Sequence, residues 1–255
     1  MTKPRDWNGR SYDKVSGPME RLGLEVLDRL ALRGDERVLD AGCGSGRVTQ
    51  ALIDRLPDGE VIGVDGSRAM IDAARERLPP GTELLVQDLT QLDLQGRTVD
   101  AILSTATFHW IADHDALFAA LRRALEPGGR LTAQCGGHGN IAGVRAALDQ
   151  VCLRPAWAPH LGGWAGTWNF STPEVTTQRL EAAGFAEVRA QLVSRPVTPE
   201  EPHEYLGTIV LGAHLERLPA ERRDAFVADV VEALRARDGD VVVDYVRLNL
   251  DAVAV

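Results

Sequence analysis

The segment LDAGCGSGR, at positions 39–47, places three glycines, Gly42, Gly44 and Gly46, within five positions. They directly follow an apolar run that is typical of a buried strand. A glycine-rich turn lets the backbone come close to a ligand, and it costs conformational entropy when the chain folds. Backbone amides at the start of a following helix favour an anionic group. The segment therefore predicts a turn that binds a ligand carrying such a group.

Two aspartates accompany this turn and narrow the choice of ligand. Asp40 lies two positions before Gly42, and Asp65 ends the next strand-like run. A carboxylate at that strand end can accept hydrogen bonds from both hydroxyls of a ribose, and it would repel a 2′-phosphate. The glycine spacing is G-x-G-x-G, whereas a dinucleotide fingerprint has its third glycine one residue later. The spacing thus disfavours a nicotinamide dinucleotide, and an NAD-dependent oxidoreductase is kept as an alternative function.

Short β-branched runs alternate with amphipathic segments over the first half of the chain, and these elements must position the turn. The strand-like runs lie at 37–42, 60–66, 82–88, 99–105 and 129–135. Helical patterns lie at about 19–32, 45–56, 67–78 and 114–125. Such alternation indicates the α/β class, with a doubly wound parallel sheet that carries helices on both faces.

The pattern changes after the fifth strand-like run. Thr172 is a typical N-cap of a helix that stops at Gly184. A strand at 186–194, helical stretches between 201 and 237, and a terminal strand at 240–253 follow. We predict three parts: an amino-terminal cap over 1–35, a ligand-binding core over 36–135, and a remainder over 136–255 with a cap insertion around 155–170.

Composition argues against several classes of protein. The formal net charge of −9 disfavours a broad phosphate-binding surface, so no nucleic-acid partner is expected. No run approaches the ~20 apolar residues that cross a bilayer, and the amino terminus lacks the apolar core of a signal peptide. The chain has an odd number of cysteines, and their spacing is not that of metal ligands. This suits free thiols in a reducing compartment for Cys43, Cys135 and Cys152. We expect a cytoplasmic protein with no membrane partner and no metal site.

Five elements, in order, resemble the class I S-adenosylmethionine-dependent methyltransferases. VLDAGCGSG is similar to the first motif of that family, VIGVDGSRAMIDAAR to the second, VQDLTQL to the third, ILSTATFHWIAD to the fourth, and ALEPGGRL to the approach to the fifth strand. The resemblance covers about residues 36–135. The stretches FHW, WNGRSY and WNFSTPEVTTQRLEAAGF are most similar to the subgroup that includes trans-aconitate methyltransferases and related small-molecule enzymes.

The resemblance implies a Rossmann-like seven-stranded sheet with a helical or loop cap, and S-adenosyl-L-methionine as the cofactor. By this resemblance Asp88 accepts from the adenine amino group while the Leu89 amide meets the ring edge. Ser104 lies where the family contacts the amino-acid portion of the cofactor, and Tyr12 resembles an aromatic residue that closes over it. The implied cofactor-binding residues are Tyr12, Asp40, Gly42, Gly44, Gly46, Asp65, Gly66, Asp88, Leu89 and Ser104.

Each of these polar residues also has a structural alternative. The three aspartates suit helix caps or turns as well as a ligand, and Tyr12 suits core packing. His109 follows the fourth strand, where the acceptor is expected, and is a candidate general base. It equally suits a packing role beside Trp110. Both roles of His109 stay open at this point.

Methyl transfer from a sulfonium is an in-line displacement for which the protein mainly supplies position. A carboxylate acceptor is already ionised at neutral pH, whereas a hydroxyl or an amine can need a base. The candidate substrate residues either line a pocket or attach the cap to the core, and they are Trp110, His138, Asn140, Trp157, Trp164 and Trp168. We predict a small-molecule methyltransferase that acts on a carboxylate or hydroxyl oxygen. A cofactor-binding protein without catalysis is a further alternative.

Overall fold

Seven strands form one sheet in the computed structural model, which describes residues 17–164 and 166–255. Their spatial order is β3-β2-β1-β4-β5-β7-β6. Strands β1 to β5 pair in parallel, and β7 runs antiparallel between β5 and β6. The predicted α/β class with a Rossmann-like seven-stranded sheet is confirmed. The strands are β1 (Arg37–Ala41), β2 (Glu60–Asp65), β3 (Glu83–Val86), β4 (Val99–Thr105), β5 (Leu125–Gly136), β6 (Phe185–Ser194) and β7 (Val246–Ala254).

Helices connect the parallel strands and form a further layer beyond β5. The α-helices of the described residues are α1 (Gly17–Arg29), α2 (Arg47–Asp54), α3 (Arg68–Arg77), α4 (His114–Ala124), α5 (Ala142–Val151), α6 (Ala158–Leu161), α7 (Pro173–Ala182), α8 (Pro202–Tyr205), α9 (Gly212–Glu216) and α10 (Arg223–Asp238). Short 3₁₀ turns lie at Leu89–Gln91, Phe108–Trp110 and Ala220–Arg222, and a π-helical turn lies at Leu206–Val210.

Short polar side chains set where several of these helices begin. Ser67 accepts from the Met70 amide at the start of α3, and Asp113 accepts from the Ala116 amide at the start of α4. Each oxygen satisfies an amide that has no partner inside its helix. The predicted N-cap Thr172 is confirmed, because its hydroxyl accepts from a backbone amide at the start of α7.

The sheet separates two apolar layers, as its alternating side chains require. In β1, Val38 belongs to the layer under α1 and α2, whereas Leu39 belongs to the layer under α4. In β4, Leu103 faces the first layer and Ile102 the second. A third apolar cluster joins α5 to α10 and forms the helical cap. Because β1 to β5 are parallel, their carboxyl ends meet at one edge, and the order reverses beside β1, where such sheets bind ligands.

The predicted start of the terminal strand is wrong. The terminal strand begins at Val246, not at residue 240, since the preceding segment makes only an isolated bridge between Val197 and Val243. Helical segments fill the predicted range between 201 and 237, and those before α10 are short. Gly212 begins one of them, and Pro219, which has no amide to donate, separates α9 from the next turn. The division of the chain at residues 35 and 135 stays a prediction.

Candidate active site

The glycine turn after β1 combines a closely packed residue with an open one. The φ angles of Gly42, Gly44 and Gly46 are 87°, 53° and 82°, a region that disfavours other residues. A Cβ atom on Gly42 would lie 2.1 Å from the Oγ1 atom of Thr107, whereas one on Gly44 would meet no heavy atom within 4 Å. Gly42 therefore allows the turn to pack against the segment after β4, and Gly44 borders open space.

Asp65 connects the end of β2 to the glycine turn. Its Oδ2 atom accepts from the Gly44 amide at 3.0 Å, and its Oδ1 atom accepts from the Ser67 amide at 2.8 Å. Gly66 lies between Asp65 and Ser67 in the bend into α3. The structure thus brings together Gly44 and Asp65, which the sequence assigned to one ligand site, although one follows β1 and the other ends β2.

Asp40 is buried in β1, with 1% of its surface exposed. Thr49 Oγ1 donates to its Oδ2 atom at 2.7 Å, while the buried Oδ1 atom has no hydrogen-bond partner among the described residues. Burial raises the pKa of this carboxyl to about 7. The negative charge of Asp65 adds to the rise, and the hydrogen bond from Thr49 opposes it. The site thus contains a carboxyl group whose pKa lies close to neutral pH.

Asp40 is expected to make the free energy of unfolding decrease as the pH rises. The folded chain retains this proton up to a pKa of about 7, whereas the ordinary value is 3.8. The stabilisation is therefore complete below the ordinary pKa and is lost as the pH rises through the folded one. Its size is on the order of 4 kcal/mol.

Denaturant unfolding of the wild type and of Asp40→Asn between pH ~4 and ~8.5 measures this effect. The stability of the variant relative to the wild type should increase up to about pH 7 and then stay level. Three buried histidines, His109, His114 and His214, have lowered pKa values, so their contribution to stability increases with pH and opposes that of Asp40. The difference in stability between variant and wild type cancels their contribution. A difference that does not depend on pH would contradict the raised pKa.

The remaining predicted cofactor residues also lie at the carboxyl ends of the strands. Asp88 Oδ1 accepts from the amide and the hydroxyl of Thr90, both at 2.9 Å, so its turn role is observed. Leu89 is buried. Ser104 Oγ donates to the Ala41 carbonyl at 2.6 Å and joins β4 to β1. Their cofactor roles stay predictions, and the predicted Tyr12 lies outside the described residues.

A cavity lies at the ends of β4, β5 and β7. Four of the predicted residues are among those that line it: His109, Trp110, Asn140 and Trp168. Aromatic rings dominate one wall, where Trp168 and Phe170 stack at 5.9 Å. The remaining lining residues are Met19, Ala106, Ile141, Phe170, Ile209, Val210, Tyr245 and Arg247. An apolar cavity with a few polar groups is typical of a small-molecule site.

His109 is a neutral ring in this cavity wall. Its Nδ1 atom accepts from the Gly136 amide at 3.2 Å, and its ring centroid lies 5.0 Å from that of Trp110. Burial lowers the pKa of His109 well below its usual value, and the charge of Arg247 adds to this effect. In a neutral ring with Nδ1 as the acceptor, the hydrogen is on Nε2. The geometry favours a hydrogen-bond donor over a general base.

Three predicted substrate residues lie elsewhere in the structure. Trp157 is buried under α10, where its Nε1 atom donates to Asp229 Oδ2 at 2.7 Å. Trp164 packs 4.7 Å from the His214 ring, and His138 is exposed. None of the three is among the described residues that line the cavity. The positions of the two tryptophans favour the alternative interpretation, in which they attach the cap to the rest of the fold.

Sequence reasoning missed Arg247, which β7 brings into the cavity wall. Only 2% of its surface is exposed. Its Nε atom donates to Gln134 Oε1 at 3.2 Å, and its guanidinium lies 5.6 Å from the centroid of the Tyr245 ring. The sequence signal that could have indicated Arg247 was the pattern YVRLNL. In a strand, Arg247 and Asn249 share one face there, and the apolar residues between them lie on the other.

The described part of the chain comprises residues 17–164 and 166–255. Over these residues, no helix combines the length and the apolar character that crossing a membrane requires. In the same part of the chain, no group of three or more histidine, cysteine, aspartate or glutamate side chains could hold a metal ion.

Known proteins resemble this chain over its core and over its whole length. Residues 38–129 match the family described as Methyltransferase domain. A trans-aconitate 2-methyltransferase of Methylobacterium nodulans is 34% identical over 266 residues, covering 97% of this chain and 98% of the relative. A trans-aconitate 2-methyltransferase of Variovorax paradoxus is 29% identical over 235 residues, which cover 88% of this chain and 87% of the relative. A Haemonchus contortus phosphoethanolamine N-methyltransferase 2, solved in complex with S-adenosyl-L-methionine, shares the fold with a TM-score of 0.62. It is 20% identical, and the match covers 96% of this chain and 56% of that one.

Together with the sheet order and the glycine turn, these matches identify the class: the protein is a class I S-adenosylmethionine-dependent methyltransferase. Its cofactor is S-adenosyl-L-methionine, and an NAD-dependent oxidoreductase is not favoured. Because the similarity to the Methylobacterium relative extends over nearly the whole of both chains, the chain belongs to the trans-aconitate methyltransferase subgroup of that class.

Proposed function

We propose that this methyltransferase transfers a methyl group to a carboxylate oxygen of a small acid in the cytoplasm. The neutral, donor-type His109 in the acceptor cavity carries the proposal, because a cavity without an evident base suits an acceptor that is already ionised. Two relatives named trans-aconitate 2-methyltransferase support it. The net charge of −9 supports a small-molecule acceptor over a nucleic acid.

The described residues around the glycine turn fit the cofactor. The open space at Gly44 admits a ligand close to the backbone, and the buried Oδ1 atom of Asp40 offers an acceptor. Asp65 would hold the ribose, since it lies at the carboxyl end of β2 beside the glycine turn. Asp88 and Leu89 would hold the adenine. When bound, S-adenosyl-L-methionine supplies a methyl group activated by its sulfonium centre.

The aromatic cavity would promote the reaction by position and by excluding water. The acceptor carboxylate carries a negative charge that disappears when the methyl ester forms. Apolar walls formed by Trp168 and Phe170 replace part of the hydration of that carboxylate, so it reacts from a less stabilised state. The Nε2 hydrogen of His109 would orient the acid by donating to one of its oxygens.

Transfer of a labelled methyl group to a panel of acceptors tests this function. Trans-aconitate and other small carboxylic acids should yield labelled esters that alkali hydrolyses, while matched phenols and amines should yield no labelled product. An alkali-stable ether or amine as the main product would contradict the proposal. If S-adenosylhomocysteine binds but none of these compounds accepts the label, the non-catalytic alternative gains support.

His109→Gln is expected to keep most of the activity, whereas His109→Leu should lower kcat/KM by roughly tenfold. Glutamine retains both an acceptor for the Gly136 amide and a donor, and leucine retains neither. Steady-state kinetics with trans-aconitate measure the effect, with S-adenosylhomocysteine affinity as the control for the fold. Equal and severe losses of kcat in both variants, together with a rate that rises with pH in the wild type, would restore the general-base interpretation.

A further inference from the structure

Two segments that are far apart in the chain form the aromatic wall of the acceptor cavity. His109 and Trp110 lie in the 3₁₀ turn after β4, whereas Trp168 and Phe170 lie in residues 168–171, which form neither helix nor strand. The ring centroids of His109 and Phe170 are 6.0 Å apart, and those of Trp110 and Trp168 are 6.4 Å apart. Because residues 168–171 belong to no helix or strand, tertiary contacts must fix where this half of the wall lies.

Asn169, which lies between the two aromatic residues of the second segment, connects it to the first. Its backbone amide donates to the His109 carbonyl at 2.9 Å. Its side-chain Nδ2 atom donates to the carbonyls of Ile111 at 3.2 Å and of Ala112 at 3.0 Å. A single NH₂ group supplies both donors, and the carbonyl oxygens can only accept. The Asn169 side chain thus holds residues 168–171 against the segment after β4.

The carboxyl end of the second segment is held independently of Asn169. The Ser171 carbonyl accepts from the His138 amide at 2.9 Å, which connects this end to the loop after β5. The next residue, Thr172, caps α7. Loss of the Asn169 side chain would therefore loosen the part of the wall that carries the two aromatic rings, while α7 stays in place.

The effect of Asn169 on an acceptor must pass through its neighbours. Asn169 is not among the described residues that line the cavity, whereas Trp168 and Phe170 on either side of it are. A displacement of about 1 Å near a reacting group can cost on the order of 100-fold in rate, whereas the net contribution of a hydrogen bond to stability is small. Removing the two side-chain hydrogen bonds should therefore affect turnover far more than folding.

We propose that Asn169 is a positioning residue of the acceptor cavity. Its side-chain amide sets the separation between the turn that carries His109 and the wall formed by Trp168 and Phe170, so that the acceptor meets the Nε2 hydrogen of His109 in a productive orientation. This inference rests on the proposed methyl transfer to an acceptor in this cavity. The cofactor half of the site lies outside its effect, since Asp65 holds the glycine turn.

Three substitutions of Asn169 grade the loss of its donor. Asn169→Leu removes both side-chain hydrogen bonds at similar volume, and Asn169→Asp places a negative charge beside two carbonyl oxygens. In both variants kcat/KM for trans-aconitate should decrease by roughly 10- to 100-fold, while the affinity for S-adenosylhomocysteine stays unchanged. Asn169→Gln keeps the NH₂ donor on a longer side chain and should recover part of the lost activity. Thr167→Ala, at an exposed position of the same loop, is the control and should behave like the wild type.

A double-mutant cycle tests whether Asn169 acts through His109. If Asn169 positions the histidine, Asn169→Leu should cost much less in a His109→Leu background than in the wild type, because the donor that it positions is already absent. Equal fold losses of kcat/KM in the two backgrounds would overturn the proposed role of Asn169.

Hydrogen exchange of the complex with S-adenosylhomocysteine separates this inference from the proposed function, since it needs no turnover. If Asn169→Leu speeds exchange only at 108–112 and 166–171, and the wild type esterifies no acid, carboxylate methylation is refuted and Asn169 keeps its positioning role. Ester formation with unchanged exchange and unchanged kcat/KM in Asn169→Leu retains the function and refutes the inference. Faster exchange over the whole chain, the glycine turn at 39–47 included, would make Asn169 a stabiliser of the fold and would overturn the inference.

Discussion

Asp65→Ala is expected to weaken S-adenosylhomocysteine binding by roughly 1 to 3 kcal/mol, since it removes charge-assisted hydrogen bonds to the two ribose hydroxyls. The structure adds a second reason. The Asp65 carboxylate also accepts from the amides of Gly44 and Ser67, so the alanine variant loses the connection that holds the glycine turn against β2. Calorimetric titration of purified protein with S-adenosylhomocysteine measures the loss.

Asp65→Asn separates these two contributions. The asparagine keeps one oxygen acceptor for a loop amide but loses the negative charge, so it should recover part of the stability and little of the affinity. Asp72→Ala is the control, because Asp72 is an exposed carboxylate on α3 that pairs with Arg75. Unchanged affinity in Asp65→Ala would remove this residue from the ribose site.

Gly44→Ala is expected to weaken S-adenosylhomocysteine binding by at least about tenfold while the protein still folds, because the new methyl group projects into the space assigned to the ligand. The left-handed φ angle of 53° adds a stability cost of about 1 kcal/mol. Gly42→Ala should instead impair folding by more than about 2 kcal/mol, since its Cβ atom would collide with Thr107.

Gly128→Ala provides the matched control for backbone strain. Gly128 has a φ angle of 79°, and a Cβ atom there meets no heavy atom within 4 Å, as at Gly44. Both variants should therefore lose similar stability in denaturant unfolding, and only Gly44→Ala should lose affinity for S-adenosylhomocysteine. Equal affinities in the two variants would mean that the space beside Gly44 does not hold the cofactor.

The cofactor half of the site was predictable because its residues follow the order of the strands. Asp40 and Gly44 lie at or just after the carboxyl end of β1, and Asp65 lies at that of β2. Parallel strands bring such ends to one edge. The hydrogen bond between Asp65 and the Gly44 amide follows from this local arrangement. The burial that raises the pKa of Asp40 does not, since it depends on the helices packed over β1.

The acceptor half was only partly predictable from sequence. His109, Trp110, Asn140 and Trp168 were predicted and line the cavity, whereas Arg247 reaches it only through the antiparallel pairing of β7. The antiparallel insertion of β7 between β5 and β6 pairs Gly136 with Arg247 and Gln134 with Asn249. No local pattern signals that contact. The local sequence also does not distinguish Trp157 from Trp168, because both lie in an irregular segment. Packing alone places Trp157 under α10 and Trp168 in the cavity wall.

The sequence by itself determined the strand and helix alternation, the glycine turn, the aspartates at the strand ends and, through them, the class of enzyme and its cofactor. These features arise from residues close together in the chain, where backbone geometry and side-chain periodicity act directly. The tertiary structure decided that His109 is a neutral donor and that Arg247 is buried in the cavity wall. Both outcomes depend on burial and on long-range pairing, because the environment of a side chain exists only after distant segments have packed around it.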